Sequence, residues 1–291
     1  MTQPLFFTKA LPVLFILPVL TIAVPSAAAQ QPEKCLRVEE NTLRSPVLHF
    51  EGQYAGRPVE LDLIGTIHFA QPEYYDQVSH LLAGYDAVGV ELVVPRGTEL
   101  SWIYPQAPEA RFDFSDILSL VSSLQAFLTE QLGLTSQLAA IDYRQEHFVL
   151  ADIDAETLLE RLAEEPLGEM ITAGDIIGIG LDLTNPRQRR ELLTLAAALL
   201  AAKDRRLTGR RLLAEFFAKN ADSPQLVPFG RLLIEERDRV AIDRVETLLA
   251  EGKSRVALLY GAAHLRDLSD RVVERFGLTF TGADWLTVWT W

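Results

Sequence analysis

A short pattern that occurs twice places the strongest constraint on how this chain folds. An apolar, strand-like run ends in Gly-x-x-His at Leu61–His68 (the first motif) and again at Val256–His264 (the second motif). A glycine at the carboxyl end of a strand lets the backbone turn sharply or lets a ligand approach it closely. The histidine three residues later then lies at the mouth of the sheet, where α/β folds bind their ligands. Because His68 and His264 are two of only five histidines, we expect them to share one site.

The segments around both motifs predict an α/β fold with a mixed sheet. Strands are predicted at Val47–Gln53 and Pro58–Ile64, a helix at Pro72–Leu82, and a further apolar strand at Ala87–Val94. The order strand, helix, strand is typical of a βαβ unit with parallel strands. The second motif is likewise followed by a predicted helix, Leu265–Phe276. We therefore predict two strand-Gly-x-x-His-helix halves of one sheet.

A largely helical insertion is predicted between these halves, at about residues 113–227. Phe148–Ile153 is a brief strand-like exception within it. Asn185 and Pro186 have the residue types of a helix start, and Asp154 is a second candidate cap.

The C-terminal part begins with a predicted amphipathic helix over Pro228–Glu251, which Gly252 ends. Strand Arg255–Tyr260 follows, and the last residues predict a hairpin made of Leu278–Gly282 and Leu286–Trp291. Residues 30–291 are thus predicted to form a single domain.

The first 29 residues predict a signal peptide. Lys9 is their only charged residue, an apolar run over Leu11–Val24 follows, and Ala27–Ala29 places small residues before Gln30. This layout is typical of a cleaved secretion signal, and the prolines in the apolar run and the alanine triplet argue against an uncleaved membrane anchor. We therefore expect a mature chain that begins at Gln30 and is secreted or periplasmic.

Charge and cysteine content exclude several kinds of function. The formal net charge is −13, whereas a nucleic acid requires a basic face, so we expect no nucleic-acid partner. The single cysteine allows neither an intramolecular disulfide nor a thiolate metal cluster. No later apolar stretch reaches membrane-spanning length, since Leu192–Ala202 is too short.

Three residues are candidate metal ligands. His68 and His264 are predicted at strand ends, and Glu91 lies in an apolar strand where an unpaired carboxylate would be costly. Two histidines and one carboxylate form a ligand set that leaves positions open for water and substrate. The alternatives are histidines bonded only to backbone, one histidine acting as a general base, and a Glu91 that reaches solvent.

Arg237 is the fourth candidate, because it shares an apolar helix face with Ile234, Ala241 and Leu248. A guanidinium on that face requires a buried carboxylate or an anionic group of the substrate or transition state. A purely structural ion pair, with Glu91 as one possible partner, is an equally good explanation. Asp152 is interpreted as a strand-end group rather than a ligand.

These residues resemble the signature of the TraB/GumN/TIKI family. The resemblance is carried by Gly65-Thr66-Ile67-His68, by Val90-Glu91-Leu92, by Glu236-Arg237-Asp238 and by Gly261-Ala262-Ala263-His264-Leu265. It covers the chain from about Val47 to the C-terminus and is clearest at both ends. It implies the α/β fold shared with erythromycin-esterase and haem-binding ChaN-like proteins.

The resemblance also implies an activity. Animal TIKI members are metal-dependent proteases that act on secreted Wnt proteins, and bacterial members include inhibitors of peptide pheromone signalling. Carried over, the functional residues are His68, Glu91, Arg237 and His264, whereas Asp238 departs from the asparagine that often follows the arginine. We expect a metal-dependent hydrolase, with Mn, Co or Zn as the metal and a peptide or protein substrate. A metal-free esterase-like hydrolase and a non-catalytic protein that binds a peptide or haem remain alternatives.

Overall fold

The structure is a computed structural model that describes residues 31–32, 34–103, 129–164, 190, 193–194, 197–198, 201–220 and 231–291. The predicted signal peptide and the predicted helix start at Asn185 and Pro186 lie outside these residues, as does part of the predicted helical insertion.

A mixed β-sheet forms the centre of the described fold. Its seven strands are β1 (Arg37–Glu39), β2 (Thr42–Tyr54), β3 (Arg57–Thr66), β5 (Ala87–Val90), β7 (Phe148–Leu150), β8 (Arg255–Gly261) and β9 (Thr279–Thr290). A separate antiparallel pair consists of β4 (Phe69–Ala70) and β6 (Thr135–Ser136).

The sheet has a parallel half and an antiparallel half. Strands β3, β8, β5 and β7 lie side by side in that order and are all parallel. Strand β2 pairs antiparallel with β1, β3 and β9. The middle parallel strands are apolar because both of their faces are covered, and Val88, Val90 and Leu258 are fully buried. The predicted α/β class with a mixed sheet is therefore confirmed.

Six α-helices whose bounds lie in the described residues accompany the sheet. They are α1 (Pro72–Leu82), α2 (Gln137–Ala140), α3 (Ala155–Glu164), α4 (Arg205–Asn220), α5 (Arg237–Ala250) and α6 (Leu265–Phe276). Helices α1 and α6 follow the two motif histidines, as predicted. Helix α6 ends at Gly277, whose φ of 66° is a left-handed conformation that glycine adopts without strain. No helix in the described ranges has the length and hydropathy of a membrane span.

The predicted C-terminal hairpin is wrong, because Thr279–Thr290 forms one continuous strand, β9. Strand β2 is 13 residues long and offers β9 partners from Thr42 to Glu51. The residues expected to turn, including Asp284, pair regularly with β2, and the register of this ladder shifts only on either side of them, after Leu43 and after His49. A long neighbouring strand thus outweighed the local turn signal.

Other boundaries differ less from the prediction. The strand expected to reach Val94 ends at Val90, and the one expected to reach Ile153 ends at Leu150. The predicted helix over Pro228–Glu251 is described from residue 231, where a π-helical turn, Arg231–Glu236, precedes α5. Asp154 caps α3, since its Oδ1 accepts the Thr157 backbone N–H at 2.9 Å.

A cross-strand cluster around His49 ties β2 to its neighbours. Its Nδ1 lies 2.9 Å from Asp62 Oδ1 on β3, its Nε2 lies 3.4 Å from Asp284 Oδ2 on β9, and Tyr85 donates its hydroxyl to Asp62. The hydrogen bond to Asp62 raises the pKa of His49 above 6.5, although partial burial opposes the rise.

A pH-dependent contribution to stability follows from this raised pKa. The stabilisation by the protonated His49 should be fully present below about pH 6.5 and should disappear as the pH rises through the folded-state pKa. Its size should be at most about 1 kcal/mol, because the pair is partly exposed. Urea unfolding of wild type and His49→Gln between about pH 5 and pH 9 measures the difference. A difference that grows with pH would contradict the assignment.

Candidate functional site

Polar residues follow the carboxyl ends of all four parallel strands. They are His68 after β3, Glu91 after β5, Asp152 after β7 and His264 after β8. The carboxyl ends of adjacent parallel strands open at one edge of a sheet, which is where ligands bind in this class of fold. Helix α5 begins at the same place and contributes Arg237 and Asp238.

Glu91 is the buried centre of this group. Its backbone N–H donates to Leu259 O at 3.0 Å, and its side chain is 7% exposed. Arg237 Nη2 donates to Oε1 at 2.6 Å, and the Gly261 N–H donates to Oε2. Burial works to raise the pKa of Glu91, but the charges of His264 and Arg237 outweigh it and hold the pKa well below its usual value. The carboxylate is therefore ionised and held on both oxygens.

Gly261 leaves the space that Glu91 occupies. A Cβ at this position would lie 3.1 Å from Glu91 Oε2, which is tighter than an ordinary contact. The glycine of the second motif thus accommodates a side chain of the same protein, whereas the sequence analysis expected a sharp turn or an approaching ligand.

Arg237 joins two buried carboxylates. Its Nε and Nη2 bind the two oxygens of Asp152 at 2.9 Å and 2.6 Å, and Nη2 also binds Glu91. Arg237 therefore forms the ion pair with Glu91 that the sequence analysis gave as the structural explanation for this residue. The interpretation of Asp152 as a mere strand-end group is incomplete, because its side chain is 0% exposed and orients the guanidinium. The sequence feature that could have identified Asp152 is its position directly after a short apolar run, a position that Glu91 shares.

His264 lies between two carboxylates. Its Nδ1 lies 2.5 Å from Asp238 Oδ1 and its Nε2 lies 3.4 Å from Glu91 Oε1, while the Tyr260 ring packs edge-on 5.2 Å away. Burial works to lower the pKa of His264, but Glu91 and Asp238 outweigh it and raise the pKa to about 10. Asp238 was noted in the sequence only as a departure from asparagine. In the structure it is the partner that holds the imidazole in one orientation.

His68 lies at the mouth of the group, where the residue is exposed to solvent although protein atoms surround part of its imidazole. Desolvation lowers the pKa of its imidazole, with Arg237 and His264 adding to the effect and Glu91 opposing it. Its position directly after β3, in a sheet where β8 and β5 lie next to β3, places His68 at the same edge as the other three predicted residues. The structure therefore brings His68, Glu91, Arg237 and His264 to one edge of the sheet, with His68 neutral near pH 7.

Side chains from β2 and α1 hold the backbone of the first motif through hydrogen bonds. Tyr74 and Ser45 donate their hydroxyls to Gly65 O at 2.6 Å and 2.8 Å, and Tyr75 donates to Ile67 O at 2.7 Å. Three buried side chains thus hold the carbonyls of Gly65 and Ile67, two of the three that precede His68 in the motif. These contacts could not be predicted from the sequence, because they depend on how α1 and β2 pack on β3.

The donor set fits a divalent cation in its chemistry. Within the described ranges, no group of three or more His, Cys, Asp or Glu side chains is arranged to hold a metal ion. However, two buried carboxylates, Glu91 and Asp152, bind Arg237, and a third, Asp238, pairs with His264. With neutral histidines the cluster would carry surplus negative charge, which a proton on His264 or a bound cation would offset. The neutral His68 and the oriented His264 are the imidazoles that would hold such an ion.

Comparison with known proteins adds no assignment to this geometry. No family model and no curated protein matches this chain, so its resemblance to the TraB/GumN/TIKI family stays a prediction.

Proposed function

We propose that this protein is a metal-dependent hydrolase that cleaves peptide bonds. The observation that best supports the proposal is the surplus of buried carboxylates beside two imidazoles at the carboxyl edge of the parallel strands. His68 and His264 would hold the ion, with Glu91 as a further ligand or as the general base. A bound divalent ion lowers the pKa of a water molecule and polarises a carbonyl group.

The side chains have separate roles in this proposal. Asp238 orients the His264 imidazole through Nδ1, which leaves Nε2 facing the site. Arg237 holds Glu91 in place and presents positive charge where an oxyanion would develop. Asp152 in turn binds the Nε and Nη2 side of the guanidinium with both of its oxygens.

The substrate class and the location rest on the sequence. A peptide or protein substrate follows from the resemblance, and a secreted or periplasmic location follows from the predicted signal peptide. The acidic net charge of −13 supports a function without nucleic acid.

One observation favours a second candidate, a metal-free hydrolase. Both Glu91 oxygens already accept hydrogen bonds, from Arg237 and from the Gly261 N–H, so the carboxylate is not free to bind an ion as placed. In this alternative, a neutral His68 acts as the base that activates water.

Elemental analysis of the mature protein, followed by cleavage of a peptide library with and without chelator, distinguishes these candidates. We expect a stoichiometric divalent metal, and cleavage that chelation abolishes and that added metal restores. Full activity in the metal-stripped protein would favour the metal-free hydrolase. Capture of a peptide or haem without turnover would instead indicate a binding protein.

Glu91→Gln separates the two roles proposed for this residue. If Glu91 is a ligand, the variant should retain less metal than the wild type. If Glu91 is the base, the metal content should stay normal while turnover falls by roughly 10²–10⁴-fold. Normal metal content with normal turnover would exclude both roles.

Gly261→Ala should lower turnover by disturbing Glu91 without removing any functional group. The added Cβ would lie 3.1 Å from Glu91 Oε2, so the carboxylate must move by a few tenths of an ångström. Displacements of this size in a catalytic group reduce rates, and we expect a loss of about ten-fold or more. Gly282→Ala is the matched control, because its Cβ would meet nothing within 4 Å. Equal turnover in the two variants would show that the close approach at Gly261 is unimportant.

A further inference from the structure

Three buried polar side chains beside the first motif have unused hydrogen-bonding capacity. Thr66 Oγ1 and Gln137 Oε1 have no partner in the described part of the chain, although the residues are only 2% and 5% exposed. Tyr143 is 1% exposed and accepts a hydrogen bond from Gln137 Nε2 at 3.0 Å. Among the described residues, the Tyr143 hydroxyl proton has no acceptor.

This conclusion does not depend on the orientation of the Gln137 amide. If the amide is turned over, Tyr143 donates to Gln137 Oε1 and the amide N–H₂ is left without an acceptor. The pair therefore presents at least one unused donor in either orientation.

These residues lie close to His68 along the chain and through hydrogen bonds. Thr66 precedes His68 by two residues, and the Gln137 backbone N–H donates to His68 O at 2.9 Å. Burial raises the pKa of Tyr143 and the charge of Glu91 adds to the rise, so the phenol lies in the electrostatic field of the site.

The register of the sheet places Thr66 on the Glu91 side. Thr66 pairs with Gly261 in the parallel ladder of β3 and β8, and paired residues of a ladder project to the same face. A Cβ added to Gly261 would lie on that face, 3.1 Å from Glu91 Oε2. The Thr66 hydroxyl therefore lies on the same face of the sheet as the Glu91 carboxylate.

An unpartnered buried polar group destabilises the free protein, since it has lost water and gained nothing in exchange. Such groups are rare in folded proteins, and functional sites, where a ligand supplies the missing partner, are one place where they are retained. The three side chains here are uncharged, and in either amide orientation they offer at least one unused donor, together with the Thr66 hydroxyl, which can both donate and accept. A peptide group, with one N–H and one C=O, complements this combination.

We propose that Thr66, Gln137 and Tyr143 form a subsite that binds an uncharged peptide group of the substrate beside His68. This subsite rests on the proposed peptide-cleaving function. By binding one peptide group of the substrate, it would position the adjacent peptide bond of the substrate at His68 and Glu91.

The test combines thermal unfolding with titration of a capped tetra-alanine peptide, followed by NMR, which reports binding and cleavage separately. The variants are Thr66→Val, Gln137→Leu and Tyr143→Phe. Thr66→Val should melt at or above the wild-type temperature, because it removes an unsatisfied group. Gln137→Leu and Tyr143→Phe also break the hydrogen bond between these two side chains, so they should melt slightly below the wild type. Each should bind the peptide about ten-fold more weakly for every hydrogen bond lost.

Tyr85→Phe is the matched control for Tyr143→Phe. The Tyr85 hydroxyl already donates to Asp62 within the protein, so its removal should lower the melting temperature and leave peptide binding unchanged. This contrast separates a ligand-binding hydroxyl from a structural one.

If all three variants bind the peptide with wild-type affinity, the subsite proposal is wrong, whether or not the peptide is cleaved. It is also wrong if the wild-type protein does not bind the peptide. A melting temperature lowered as in Tyr85→Phe, with binding intact, would make the groups structural. If the peptide binds as expected but is never cleaved, the subsite stands and the hydrolase proposal fails.

Discussion

His264→Ala and His68→Ala should each reduce turnover by roughly 10²–10⁴-fold or more, which makes them the most damaging substitutions for activity. Each imidazole is a proposed ligand of the same ion, so the loss of one should also release the metal. In the metal-free alternative, the loss of the His68 base alone would have a similar effect on rate. Turnover and metal content, measured on the same preparations, distinguish these cases.

The His264→Ala variant should remain folded. Burial raises the pKa of Asp238 to about 7, so this carboxyl can take up a proton once the imidazole is gone. Circular dichroism before each assay checks that activity is lost from a folded protein.

His80→Ala is the matched control, because His80 is an exposed histidine in the last turn of α1. It should keep the turnover and metal content of the wild type. If neither His68→Ala nor His264→Ala alters turnover, the shared-site proposal is wrong.

Arg237→Leu should cause the largest loss of stability, about 3–5 kcal/mol in the free energy of unfolding. The substitution leaves Glu91 and Asp152 buried, at 7% and 0% side-chain exposure, without the guanidinium that binds both. Removing one partner of a buried ion pair is costly because the remaining charge has no water to stabilise it. Urea unfolding near pH 7 measures the effect.

Arg237→Lys separates charge from geometry. A lysine keeps the positive charge but cannot bind both oxygens of Asp152 and one of Glu91 in the same fork. We expect a smaller loss of stability than in Arg237→Leu, a large loss of turnover and normal metal content.

Arg96→Leu is the matched control for charge removal. Arg96 also pairs with a carboxylate, at 3.2 Å from Asp154, but its side chain is 61% exposed. Its loss should change the free energy of unfolding little, since exposed ion pairs contribute little. Equal losses in Arg96→Leu and Arg237→Leu would contradict the buried-cluster interpretation.

Local patterns in the sequence determined the class of fold and the candidate residues. Apolar runs of strand length, each ending in Gly-x-x-His and followed by a helical period, predict the parallel strands β3 and β8 and the helices behind them. Glu91 lies in an apolar run, and Arg237 lies on the apolar face of a predicted helix. These positions identify both residues as candidates before any contact is known. Each of these signals depends on near neighbours in the chain and on the cost of burying charge.

Only the tertiary structure decided which partners these residues have. Asp152 lies 85 positions from Arg237 and Asp238 lies 26 positions from His264, and spacing alone could not pair them. The side-by-side order of β3, β8, β5 and β7 brings their ends together, and α5 crosses there with Arg237 and Asp238. The same dependence explains why the predicted C-terminal hairpin failed: the length of β2 determined how far β9 could extend. Pairing across a sheet is a property of strand order and register, which local sequence does not encode.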